Sequence, residues 1–132
     1  MKVFVVVKVP RGQAERAELA QVVCQLFQNH GHEVFLAYRE IEQRGISDPR
    51  QFMPLVRDQI RRSDLMLILY EAELRGGLIE AGIAYAAGVP IWLACRRGER
   101  VSTSALGCAE IVVEYNDLAE LAQQLHQRLC NV

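Results

Sequence analysis

The chain divides into short apolar runs and longer stretches with apolar residues at helical spacing. Residues 3–9, 33–38, 64–70 and 90–95 are nearly continuous apolar runs, and 110–115 alternates apolar with polar positions. Runs of this length, rich in β-branched residues, predict strands, and the continuous ones predict strands buried on both faces. Between them, residues 13–29 place Leu19, Val22, Val23, Leu26 and Phe27 along one helical stripe, and 117–129 do the same with Leu118, Leu121, Leu125 and Leu129. A further helix is expected from Asp48, as its cap, with Pro49 in the first turn, to about Arg62. Another is expected over 78–87, where Gly88 and Pro90 stop it. Pro10, Arg11 and Gly12 break the first run, Gly31 ends the first helix, and Asp117 with Glu120 forms a capping box for the last. The polar segment 39–48, with Gly45, and the charged, hydroxyl-rich segment 96–107 read as loops, the former able to move over a site.

Strands alternating with helices over the whole length predict a parallel sheet covered on both faces. The expected architecture is a single α/β domain over 1–132, a flavodoxin-like three-layer sandwich whose five-stranded parallel sheet has the order 2-1-3-4-5. Right-handed crossovers would gather segments 8–12, 70–80 and 95–104 along the edge where such sheets bind ligands.

One of these segments carries an unusual acid. From Gly76 to Cys95, Glu80 is the single ionisable acid among glycine, aliphatic and aromatic residues, one proline and a terminal thiol. A helix apolar on nearly every face must be covered on nearly every face, which predicts a sheet on one side and a partner subunit on another. Glu80 itself has two readings. A carboxylate early in a helix gains about 0.3 to 1 kcal/mol from the macrodipole and free amides. Alternatively, Gly76 and Gly77 let a ligand approach, and apolar surroundings leave Glu80 poorly solvated and reactive. Arg75, Arg96, Lys8 and the hydroxyls of Ser102, Thr103 and Ser104 are the polar groups expected around it.

Composition narrows the partner. With 51% hydrophobic and 23% charged residues and a net charge of −1, the chain has no electrostatic footprint for nucleic acid or an anionic membrane, so a small molecule is expected. No apolar run reaches the roughly 18 uncharged residues of a membrane span. The N-terminal run is ended by Lys8 without a small-residue cleavage site and reads as a strand rather than a signal peptide. Cys24, Cys95, Cys108 and Cys130 form no C-x-x-C pair, which fits reduced thiols and a cytoplasmic location. His30, His32 and His126 show no ligand spacing with them, and no metal is expected.

The stretches S-D-L-M-L-I-L-Y (63–70) and G-G-L-I-E-A-G-I-A-Y-A-A-G-V-P-I (76–91) resemble the nucleoside 2-deoxyribosyltransferases and the related deoxynucleoside 5′-monophosphate N-glycosidases. The resemblance is close in the second half of the chain and holds in the first half by element order. It implies that Glu80 is the nucleophile at C1′ of the sugar, forming a glycosyl ester that water or a second base resolves. It implies that Ser102, Thr103 and Ser104, with Arg96, Arg97 or Arg100, grip a 5′-phosphate, often from a neighbouring subunit. It implies a homodimer or higher homo-oligomer acting on a nucleoside or nucleotide, with no cofactor. Three positions depart from the family pattern. Val7 and Lys8 stand where the first strand commonly ends in glycine and a small polar residue. Val56 stands at an expected aspartate, with Asp58 on the wrong helical face. Glu71 and Glu73 are out of register for the acid before the glycine motif. Tyr85 and Trp92 read as core or interface residues. Two alternatives stay open: an inactive nucleotide-binding or interaction module of the same fold, and a Toll/interleukin-receptor-like domain cleaving NAD.

Overall fold

A computed structural model of the chain describes residues 1–131. Five strands, β1 (Lys2–Val6), β2 (Glu33–Leu36), β3 (Leu65–Leu69), β4 (Ile91–Arg96) and β5 (Ile111–Tyr115), are interleaved with six helices. These are α1 (Ala14–Asn29), α2 (Ala37–Gln43), α3 (Pro49–Arg61), α4 (Gly76–Ala86), α5 (Thr103–Cys108) and α6 (Leu118–Cys130). Every strand pairing is parallel and the order is β2-β1-β3-β4-β5, as the alternation of elements predicts. β3 is central, and all five of its residues are buried.

The two-residue period of the strands sorts the core into two layers. Val3, Val5, Leu65, Leu67, Leu69, Trp92, Ala94 and Val113 face α1 and α6, meeting Ala20, Val23 and Phe27 of α1 and Leu121, Leu125 and Leu129 of α6. Phe4, Val6, Met66, Ile68, Ile91, Leu93 and Cys95 face the other way, onto Val56 and Ile60 of α3 and Ala81 and Ala84 of α4. Caps fix two helix starts: Asp48 accepts from Arg50 N (3.0 Å), and Asp117 Oδ1 accepts from Glu120 N (2.9 Å). The Glu120 carboxylate pairs with Arg97 instead of returning the capping-box bond.

Three segments differ from the sequence expectation. β1 stops at Val6, its last partners being Leu36 of β2 and Ile68 of β3. Residues 37–43 form α2, where a strand end and a loop are expected. Ala37 and Ile41 pack on the α3/α4 layer, and Glu40 meets Arg44 one turn on at 3.6 Å. The second half of 96–107 folds into α5, capped by Ser102, with Ala105 buried against the same layer.

α4 starts two residues earlier than its pattern suggests, so Glu80 lies in its second turn. Gly77, Ala81 and Ala84 face the sheet, whereas Ile79 (62% exposed) and Tyr85 (61%) leave an apolar outer stripe open. Trp92 is buried beneath α1 and α6. Among the described residues no helix is long and apolar enough to cross a membrane, and all four cysteines are free.

Candidate active site

The chain leaves β1 toward β2 on one side and returns past it to β3 on the other, so the connections diverge between β1 and β3. A crevice opens there, outside the carboxyl ends of the strands. It is a cleft of about 320 Å³ lined by Val7, Lys8, Val9 and Arg11 from the turn after β1, and by Glu73, Leu74, Arg75, Gly76, Gly77 and Glu80 from the turn and helix after β3.

Glu80 is brought here by α4, and α4 is set against the sheet by Gly77. A Cβ on Gly77 would lie 2.5 Å from Val6 Cγ1 and 2.8 Å from Leu74 Cδ1, so only glycine permits this approach of helix to strand. Gly76 is different: a Cβ there meets nothing within 4 Å and would project into open space. Of the two glycines, Gly77 is accounted for by packing, and Gly76 borders the cleft without that constraint. No side chain caps the start of α4.

The carboxylate of Glu80 makes no hydrogen bond or ion pair with any described residue. Burial pushes it up to about 7, and no cation is near enough to lower it again. Both protonation forms are therefore present near neutral pH. A carboxyl in that state serves as a nucleophile or as a proton carrier. Lys8, Arg11 and Arg75 line the same cleft. Lys8 Nζ donates to the Glu73 backbone carbonyl (3.3 Å) and lies 4.0 Å from its carboxylate. Arg11 has φ = 40°, the only positive value at a non-glycine among the described residues, in a turn completed by Gly12. Arg11 and Glu73 lie in the segments 8–12 and 70–80 that the sequence gathers at this edge, although neither is among the expected site residues, and both line the cleft.

The other expected residues lie elsewhere. Arg96 is in a separate, larger cavity of about 500 Å³ on the α1/α6 side, together with Arg16, Tyr70, Glu71, Glu99 and Tyr115. Its guanidinium donates to the Asn116 carbonyl (3.0 Å) and sits 5.5 Å from the Tyr115 ring centre. Arg16, Glu71 and Glu99 there are also matched, while Glu15 and Glu18 are exposed to solvent and have no partner among the described residues. Arg16 binds Glu71 through both Nε and a terminal nitrogen, and Glu99 accepts from Ala72 N at 2.7 Å. Size alone favours this cavity, but Arg16, Glu71, Arg96 and Glu99 already have partners within the chain. The smaller cleft holds an acid that is both unmatched and poorly solvated.

Ser102, Thr103 and Ser104 are at the start of α5 and line neither cavity. Ser102 Oγ accepts from Ala105 N (3.4 Å), and Ser102 N donates to the Tyr70 hydroxyl (3.1 Å). Val56 is fully buried in the α3/α4 layer, and Asp58 faces solvent, where it meets Arg57 at 3.3 Å. Neither supplies an acid to the cleft. The expectation that no histidine shares ligand spacing with a cysteine is corrected by the fold, which gathers His30, His126 and Cys130 on the far side of the molecule.

No protein-family model matches the chain, and no curated protein matches it in sequence. Solved structures do. A CMP N-glycosidase, BcmB, from Clostridium botulinum is 20% identical over 97% of this chain and 99% of its own, with a TM-score of 0.77. BlsM is 22% identical over 98% and 90%, with a TM-score of 0.73. A 2-deoxyribosyltransferase from the psychrotolerant bacterium Bacillus psychrosaccharolyticus is 16% identical over 98% and 96%, with a TM-score of 0.71. At such identities the likeness is one of fold: over 97% of its length this chain has the nucleoside 2-deoxyribosyltransferase fold.

Proposed function

We propose that the chain cleaves or transfers at the N-glycosidic bond of a nucleoside 5′-monophosphate or a related nucleoside, with Glu80 as nucleophile. The observation that carries this reading is a carboxylate without partners, held poorly solvated at the switch-point cleft. The fold shared with an N-glycosidase and a deoxyribosyltransferase supports it. In the first step a Glu80 oxygen bonds to C1′ as the C1′–N bond breaks. The bond's electron pair leaves with the base, which takes up a proton from solvent. Attack by water on the resulting ester returns the free carboxylate and a sugar, and attack by a second base gives transfer. The positive charge that develops on the sugar is stabilised by the same carboxylate. The step needs no cofactor.

Lys8, Arg11 and Arg75 give the cleft three cationic donors suited to a 5′-phosphate, and the open space at Gly76 admits the sugar. The exposed α4 stripe of Ile79 and Tyr85 suits contact with a second copy, and α5 beside it would present Ser102, Thr103 and Ser104 to a neighbouring cleft. Four free thiols fit a reducing compartment such as the cytoplasm.

The second reading is a binding module that keeps the cleft without the chemistry. Val56 in the core and Asp58 in solvent favour it, since they leave the departing base without a proton donor at those positions. The test is to incubate the protein with deoxynucleosides, their 5′-monophosphates, ribonucleotides and NAD, and to follow free base by chromatography beside Glu80→Ala. Base release that disappears in the variant is expected. Thermal stabilisation by a nucleotide with no base released from any substrate would overturn the enzyme reading in favour of the module. Release from NAD alone would move the chain to the Toll/interleukin-receptor-like activity.

A further inference from the structure

The end of the molecule opposite the Glu80 cleft carries a cluster that the proposed chemistry does not use. In a parallel sheet with antiparallel helices, the C-terminal ends of α1 and α6 both lie at the strand N-termini, and here they meet. His30, the residue closing α1, has Nε2 2.9 Å from Nδ1 of His126. His126 and Cys130 are four residues apart on α6, so they share one helical face. Cys130 Sγ lies 3.7 Å from Nε2 of His126. One donor atom from each of the three residues falls within 4.8 Å of the others.

We propose that His30, His126 and Cys130 form a binding site for a borderline divalent metal ion of the Zn(II) class, which clips the end of α1 to the end of α6. Ligand chemistry selects the ion: two imidazoles and a thiolate suit zinc or cobalt, and the absence of oxygen donors in the triad disfavours magnesium and calcium. The spacing is within reach of one ion. Zn–N bonds of about 2.0–2.1 Å and Zn–S bonds of about 2.3 Å place tetrahedral donors roughly 3.3 Å (N to N) and 3.6 Å (N to S) apart. The 2.9 and 3.7 Å separations run to different ring nitrogens of His126, so one ion uses only one of them, and with one donor atom from each residue the three lie within 4.8 Å of one another. His126 spans the other two residues with its two ring nitrogens, and a turn of the ring gives one of them to the ion.

The scaffold is fixed independently of metal. His30 is anchored by its backbone N–H to the Leu26 and Phe27 carbonyls (3.3 and 3.1 Å), and α6 is held by buried Leu121, Leu125 and Leu129. Three protein ligands leave a fourth position for water or an outside donor. Binding of the ion releases the thiol proton of Cys130 to solvent, and no electron is transferred.

The test uses the full chain, stripped with chelator and titrated with Co(II) and then Zn(II). One equivalent of Co(II) is expected to give tetrahedral visible bands with a thiolate-to-metal charge-transfer band, and Zn(II) is expected to abolish both. Zn(II) should also raise the Tm and shield Cys130 from alkylation. Cys130→Ser should remove the charge-transfer band, and Cys130→Ser, His126→Ala and His30→Ala should each weaken binding at least about tenfold. Cys108→Ser should change nothing. All three ligands are at least partly exposed, so circular dichroism of the variants should match the parent. A titration lacking the charge-transfer band, or one unchanged in Cys130→Ser, overturns the site. So does uptake of half an equivalent with dimer formation, which would show an ion bridging two chains.

Discussion

The two cavities at the carboxyl edge of the sheet are built from similar residues and differ in how their charges are matched. In the larger one, under α1 and α6, Arg16, Arg96, Glu71 and Glu99 each have a partner within the chain, and the unpaired Glu15 and Glu18 are open to solvent. The smaller one contains Glu80, which has none and is held up to about 7 by burial. A matched set of charges has little left to offer a ligand, because binding would only exchange one partner for another. An unmatched carboxylate in a poorly solvated place keeps its reactivity, at a cost in stability. Volume therefore ranks these cavities in one order and chemical potential in the other.

The comparison breaks most clearly at Glu80. Glu80→Gln should reduce base release by at least about 10³-fold, as removal of a nucleophile does, whereas Arg16→Ala in the matched cavity should leave base release unchanged. Parallel loss in both variants would dissolve the distinction. The next largest effect concerns stability. The folded carboxyl titrates near 7 and the unfolded one near 4.5, so the folded state binds this proton more tightly. Its contribution is full below about pH 4.5 and is lost as pH rises to about 7. Glu80→Gln should therefore stabilise the protein at pH 8 by on the order of 2–3 kcal/mol, with the gain vanishing below pH 4.5. A gain independent of pH in denaturant titrations would mean that burial does not shift this carboxyl, and a loss of stability at pH 8 would mean that the carboxylate has a cationic partner. The same titration gives the rate an acid limb, with base release rising with pH through about 7.

Smaller effects separate the two glycines. Gly77→Ala should cost about 1–3 kcal/mol, because its Cβ would overlap Val6 and Leu74. Gly76→Ala should leave stability within about 0.5 kcal/mol and instead raise KM by narrowing the cleft. Reversed outcomes in thermal melts and kinetics would exchange their roles. Smallest are the single cation removals. Lys8→Ala, Arg11→Ala and Arg75→Ala should each raise KM for a 5′-monophosphate about tenfold and leave the KM of the matching nucleoside unchanged. Equal effects on both substrates would remove the phosphate from this cleft.

Much of this arrangement was legible in the chain. Continuous apolar strands and punctuated helices are strong local signals, and they suffice for the sheet order and for Glu80 on the helix after β3. The side of the sheet on which a residue projects was harder to see, although the same period contains it. Arg96 follows Trp92 and Ala94 at steps of two and so projects toward α1 and α6, away from α4. Lys8 follows Phe4 and Val6 and stays on the α4 side. α2 was hidden because its few core contacts, Ala37 and Ile41 on one layer and Tyr38 on the other, are set among polar residues. α5 was hidden by its six-residue length, though Ser102 is a good capping residue. His30 and His126 meet across 96 positions of chain, a proximity that only folding creates.

The contact of Gly77 with Val6 and Leu74 has one more consequence. It locks the backbone three residues before Glu80 to the sheet itself, so the proposed nucleophile belongs to the scaffold, while most of the cleft is carried by surface turns. On the proposed function, reactivity and recognition are thus separable in heredity: the turns at 8–12 and 71–75 could be rewritten for a new base or sugar while the acid stays where it is. Laboratory diversification aimed at substrate scope belongs in those two turns, with Val6, Leu74 and Gly77 held constant.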